Sequence, residues 1–525
     1  MPKFIPNDPS QSKMVVINYA DQLQPGTFEF AINHIIDHKL DLSIFYPRYQ
    51  NDDGGRPAYD PAILLKIILF AYAKGITSSR EIQWCCETNI IFKALSCDTV
   101  PHFTTLASFV SGRTEEIEAL FEQVLLICDA QGLLGKELFA LDGCKMSSNA
   151  AKEWSGTFKE LEQKRDKIQR QIHYYISEHK KLDSNDSRED ERRQRTEQAI
   201  ETLNRAHEKI EHFLKSNSPR MGQGKIKKEV KSNITDNESA KMTTSKGTIQ
   251  GYNGIATVDK KHQIIVDAQA FGEGQEHHTL QPVLNAMRER FQRLGIETHD
   301  PIITADTGYA NEANMKYLHE NGINGYIPDN KFRQRDPKFT DQQTHHSQRK
   351  AITGKDKATR SVILASEFDF DPVNLTCHCP AGEPISFRGK HPDQRGHLKV
   401  FFEGRLLQCR HCELKTRCMT NPDSANHRKG NGRQVSFIIE KAKGATKYTD
   451  WMKRRIDSDK GKQIYSHRMS VVEPVFGNIG TNKRLNRFSL RGKKKVQGQW
   501  QLYCLIHNIE KLKNFGELAG MRAAA

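Results

Sequence analysis

Apolar residues are scarce in this 525-residue chain: they make up 37% of it, and aromatic residues 8%. The longest apolar stretch, residues 62–73, is interrupted by Lys66 and is too short to cross a bilayer. The N-terminus MPKFIPNDPSQSK has no apolar core, so no secretory leader is expected. Eleven cysteines are too few for a disulfide scaffold, although five of them fall between 377 and 418 with the spacing of a metal site in a reducing compartment. Acid is also in deficit. Against 64 Asp+Glu stand 79 Lys+Arg, a net charge of +15. Such a balance favours polyanionic partners, nucleic acid above all. The expected location is the cytoplasm, and the bacterial nucleoid if the partner is DNA.

What is present divides the chain into segments. Residues 14–132 read as a helical N-terminal domain. Asp60-Pro61 opens a helix that runs to Gly75, and Ser78-x-x-Glu81 has the form of a capping box for the next. Short helices joined by tight turns suit a DNA-binding domain, and equally a plain helical bundle. In 152–218, Phe158, Leu161, Ile168, Ile172, Tyr175 and Leu182 fall near heptad spacing, and Ile200, Leu203, Ile210 and Leu214 repeat it. A helical hairpin inserted in the chain is expected there. Residues 219–250 read as a connector, 331–446 as a polar, irregular insertion, and 447–515 as a basic helical part. Between 441 and 500 there are sixteen Lys/Arg and four Asp/Glu, a net +12, which favours phosphate contact.

Between these segments lie apolar strands. Leu138–Leu141 delivers Asp142 to Gly143, read as a strand followed by a turn. Residues 252–258 and 263–270 form two further strands, 280–294 an amphipathic helix, and 301–306 a strand ending in Asp306. A helix over 310–322 and a short strand at 325–328 complete one mixed α/β sheet over 137–330. Two strand ends thus carry carboxylates. Glu473 lies on an amphipathic stretch, YSHRMSVVEPVF, set among positive charge. Three carboxylates in a basic protein suit divalent-metal phosphoryl transfer, because Mg²⁺ takes a few carboxylate oxygens and leaves positions for water and phosphate.

The blocks LDGCKMSSNA, NITDNESAKM, GYNGIATVD, IITADTGYANEAN and YSHRMSVVEPVFGNI, with NRFSLRGKKKV and LIHNIEKL, resemble in order those of a DDE transposase. The resemblance is to the insertion-sequence-four-like superfamily, in its subgroup with a C-terminal cysteine-bearing insertion. It implies a ribonuclease H-like catalytic core over 137–330 and 447–515. It also implies Asp142, Asp306 and Glu473 as the acids that hold Mg²⁺ or Mn²⁺. Cys144 stands where the family has a hydroxyl residue. Around the last acid, Tyr465, Arg468 and Glu473 follow the family signature with one extra residue between Arg and Glu. Ile479 occupies the usual lysine position, and Lys483 is the nearest lysine. Cys379, Cys409, Cys412 and Cys418 match the cysteines of related transposases and would hold a structural Zn²⁺.

The implied activity is cleavage of the element's ends by metal-assisted hydrolysis, followed by attack of the freed 3′-OH on target DNA. Terminal inverted repeats and target DNA would be the partners, and a homodimer would bring two ends together. Arg468, Lys483, Arg484, Arg487, Arg491 and Lys493 are the expected DNA contacts. A nuclease of the same fold, or a host-adopted DNA-binding protein with a silent site, are the other readings.

Overall fold

Asn508 and Gln497 explain how the C-terminal part of the chain is fixed to a strand at its middle. In the computed structural model, which describes residues 16–49, 54, 57–180, 187–222, 227–244, 247–339, 362–393, 397–440 and 447–523, both lie on a long helix near the C-terminus. Asn508 accepts from Ile265 N–H and donates to its carbonyl at 2.9 and 2.8 Å. Gln497 does the same for Ala270 N–H and the Ala268 carbonyl. Two side-chain amides therefore satisfy the free edge of a strand. Left unmade, each such buried group would cost about 1–3 kcal/mol.

The chain forms two units, Met1–Asn330 with Met452–Ala525, and Lys331–Trp451. The first begins with six helices: α1 Phe28–His38, α2 Pro61–Ala73, α3 Ser79–Thr88, α4 Ile90–Ser96, α5 Phe103–Gly112 and α6 Thr114–Ala130. Asp60 caps α2 through Ala62 N–H, as its position predicts. Ser78 makes no capping hydrogen bond to α3, so the expected capping box is absent.

The sheet is built from β1 Leu138–Ser147, β2 Ala240–Thr244, β3 Gly247–Asp259, β4 Ile265–Phe271, β5 Ile302–Ala305 and β6 Gly325–Tyr326. Its order is β6-β5-β1-β3-β2, and β4 also pairs with β3. Strands β1, β5 and β6 are parallel, while β3 is antiparallel to β1, β2 and β4. The sequence reading stopped β1 at Asp142. Instead the strand continues through Gly143 to Ser147, paired along its length with β3. The supposed connector contributes β2, whose Ala240 and Met242 are buried.

Helices α7 Phe158–His179 and α8 Ser187–Ser216 form the inserted hairpin. Leu161, Ile168, Ile172, Ile210 and Phe213 make its core, and a capping box joins Thr157 to Glu160. Leu182, of the expected heptad series, lies outside the described residues. Helices α9 Leu280–Leu294, α10 Glu312–Glu320, α11 Asp459–Gly477 and α12 Lys493–Phe515 complete the unit.

Helix α12 is buried from Gly498 to Ile509 and packs against β4, α6, α5, α2 and α1. Trp500 donates to the Ile255 carbonyl, across a strand where Gly254 leaves room for the ring. The N-terminal helices thus share their core with the C-terminal helix. Arg290 of α9, 4% exposed, ties the same layers together by pairing with Asp267, Glu118 and Glu122.

His507 of α12 is fully enclosed. Its Nε2 lies 2.9 Å from the Gln263 carbonyl and its Nδ1 3.1 Å from Asn478 Nδ2. The neutral ring, protonated at Nε2, satisfies both, whereas a second proton would face the Asn478 amide donor. Burial pushes the pKa down to about 3, and Lys511 and Lys483 add to this against the Gln263 hydrogen bond. Below the unperturbed value of 6.5 the unfolded chain binds a proton that the folded chain refuses. Stability should therefore fall with pH between about 6.5 and 3, by at most about 1.4 kcal/mol per pH unit from this group. Denaturation midpoints at pH 7, 6, 5 and 4 should fall less steeply in His507→Gln, and equal slopes would remove His507 from the account.

The second unit is not irregular. It holds a five-stranded antiparallel sheet of β7 Asp369–Asp371, β8 Thr376–His378, β9 Pro384–Pro392, β10 Leu398–Glu403 and β11 Gln434–Glu440, in that order. Its core is Ile363, Phe368, Cys377, Ile385, Val400, Phe402 and Val435.

Candidate active site

The register of the parallel pair places the first two acids. Leu141 on β1 lies beside Ala305 on β5, the last such pair. Asp142 and Asp306 are each the next residue, so they leave adjacent strands side by side and on one face. Strand β5 ends there, while β1 continues on β3 alone, which opens the sheet next to the two carboxylates.

Asp142 is largely buried, with a side chain 19% exposed, and the Arg468 guanidinium lies 2.8 Å from its Oδ2. Burial raises its pKa to about 6. Arg468 and the Gly143 N–H pull the other way, and the charges of Asp306 and Glu276 push it further up. Burial works against the Arg468 charge, but Asp142, then Tyr465, Asp306 and Glu473, outweigh it and hold the side chain ionised. Arg468 is presented by α11, which packs on β1, β3, β5 and β6 through the face that carries Val471, Val472 and Val475.

Glu473 acts on Arg468 through its charge. Five residues beyond Arg468, it lies roughly 140° round the helix from it, and it is exposed. The extra residue in the signature has this consequence directly, since a four-residue step would have kept Arg and Glu on one face.

Glu276 carries no sequence signal of its own but lies nearby. It sits in a 3₁₀ turn, Glu276–His278, between β4 and α9. Its Oε1 is 3.7 Å from Lys145 Nζ and 3.5 Å from Asn253 Nδ2. Burial raises its pKa, Lys145 opposes that, and Asp306 adds to it. Tyr309, three residues past Asp306, is also enclosed and lies in the field of Glu276 and Asp142.

The basic stretch after α11 divides in two. Lys483 is 1% exposed and is paired with Glu510, so its ammonium braces α12 and is not offered to a ligand. Arg468 is paired with Asp142 through one guanidinium nitrogen. Arg484, Arg487, Arg491 and Lys493 are exposed. Arg487 donates to Asn149 Oδ1 and Arg491 to the Asn149 carbonyl, while Phe488 N–H bonds to the Ser147 carbonyl. These contacts hold the arginines beside the end of β1, a few residues from Asp142.

In the second unit, Cys379, Cys409, Cys412 and Cys418 line one cavity of about 50 Å³. Cys409 Sγ accepts from Arg433 N–H at 3.4 Å, and a Cβ on Gly404 would meet that sulfur at 2.8 Å. Cys377 points instead into the hydrophobic core. Cys97 is exposed at the left-handed end of α4. Among the described residues, no group of three or more His, Cys, Asp or Glu is spaced to hold a metal ion as it stands.

Residues 378–513 match the family described as a transposase DDE domain. Residues 17–112 match a transposase domain (DUF772). Models of transposase-family domains thus match both ends of the chain. The first match contains Arg468, Glu473 and the four cavity cysteines, and the second covers α1 to α5. Asp142 and Asp306 lie outside both and rest on their geometry. Comparison with curated proteins and with solved structures gave no match. No helix among the described residues is long and apolar enough to cross a membrane.

Proposed function

We propose that the chain is a DNA transposase that cleaves the ends of its element and joins the 3′-OH to target DNA, with a catalytic core of the ribonuclease H-like kind. The observation that carries this reading is the pair Asp142 and Asp306, side by side at the end of a parallel strand pair in a chain with transposase-family domains. The mixed sheet, with β3 antiparallel between β1 and β4, supports the fold.

The donor set fits a hard divalent cation, since both acids offer carboxylate oxygens at an open sheet end and the one buried cation beside them, Arg468, offsets only part of their charge. Asp142 and Asp306 would hold Mg²⁺ or Mn²⁺, with Glu473 as the third acid of the family reading. When bound, the ion would supply Lewis-acid stabilisation of a phosphoryl oxygen. Arg468 keeps two adjacent carboxylates together in the absence of that charge and stands where a scissile phosphate can take it as a partner. Arg484, Arg487, Arg491 and Lys493 would hold the DNA backbone beside the site. Joining two ends calls for two copies of the chain. In the second unit the four thiols match the number and type that a structural Zn²⁺ takes.

The experiment is to incubate the protein and Mg²⁺ with duplex DNA carrying the sequences that flank its coding region. Nicks leaving 3′-OH at the boundary of an inverted repeat are expected. Binding to those sequences without a nick would support a silent DNA-binding protein instead.

A further inference from the structure

We propose that Glu276 is a further carboxylate of the divalent-metal site, entering from the segment between β4 and α9. This rests on reading Asp142 and Asp306 as that site. A Cβ on Gly308 would meet Glu276 Oε2 at 2.7 Å, so the carboxylate lies directly against the backbone two residues past Asp306. Its other oxygen faces Lys145 and Asn253, which are register partners on β1 and β3. Gly143, next to Asp142, has the corresponding role for Asn253: a Cβ there would meet Asn253 Oδ1 at 2.8 Å. Two glycines, one beside each strand-end acid, thus make room for Glu276 and the amide that orients it.

A second observation points to a ligand. Asn253 is fully buried, yet its Oδ1 has no hydrogen-bond partner. Arg468, 5% exposed, likewise leaves its Nε without one. An orphaned acceptor and an orphaned donor on either side of the carboxylates suit a hydrated cation and a phosphate oxygen, which would satisfy one each.

Mn²⁺ binding to the full chain, followed by electron paramagnetic resonance without DNA, tests this. Glu276→Gln should weaken binding at least tenfold, and Glu297→Gln, at an exposed carboxylate outside the site, should leave it within about twofold. Gly308→Ala, which displaces the Glu276 carboxylate without altering any charge, should weaken it as well and keeps the test decisive if Glu276→Gln folds poorly. Wild-type affinity in Gly308→Ala and in folded Glu276→Gln, with affinity lost in Asp142→Asn, would overturn the role of Glu276 alone. Wild-type affinity in Asp142→Asn would overturn the underlying site.

Discussion

Asp142→Asn is expected to bind end DNA as the wild type does and to lose strand cleavage in Mg²⁺. The loss should exceed the roughly 100-fold that removal of an outer-shell partner of a metal costs. Asparagine keeps the shape of the side chain and the Gly143 contact, but it removes the charge that faces Arg468. Burial already disfavours that charge, so the fold should tolerate its loss. The arginine, however, is left without its closest counter-ion and is held only by weaker fields from Tyr465, Asp306 and Glu473. A small shift in melting temperature with a large loss of cleavage is the expected signature. Cleavage at the wild-type rate would remove Asp142 from the chemistry.

The other large effect concerns the second unit. Structural zinc contributes about 10–16 kcal/mol in small zinc domains, as much as the seven buried side chains of this core supply at roughly 1.5–3 kcal/mol each. Burial raises the Cys409 and Cys418 thiols, so without an ion they remain protonated, and binding would release protons. The purified chain should therefore hold about one zinc ion, and its uptake should weaken as pH falls. Chelation, or Cys412→Ser, should make residues 331–451 sensitive to limited proteolysis while Cys377→Ser, which alters only the hydrophobic core, leaves zinc content unchanged. Zinc-free protein with an equally resistant second unit would contradict the assignment.

Local pattern carried much of the first unit. The amphipathic period of α9, the Asp-Pro start of α2 and the apolar strand residues leading to Asp142 and Asp306 were all legible, because each depends on neighbouring residues. The failures depend on partners far away in the chain. Asp142-Gly143 reads as a turn unless β3 is present to extend the strand. That the helices of 14–132 pack on α12 has no local signal, because α12 lies some 400 residues on. Lys483 reads as a surface charge until Glu510 is placed beside it. The second unit looked irregular because its strands are mostly exposed, with few buried positions to set a period. Glu276 could not be found from spacing, and the only hints were Gly308 after Asp306 and Gly143 after Asp142, glycines whose missing side chains a neighbour occupies.

The most direct test of the central claim is strand transfer from a pre-cut end. A duplex ending in the element's terminal repeat with a free 3′-OH is mixed with supercoiled plasmid, Mg²⁺ and protein. Joined product from the wild type, and none from Asp142→Asn or Asp306→Asn at equal DNA binding, is the predicted result. Joined product from either variant, or none from a wild type that binds and nicks the ends, would contradict it.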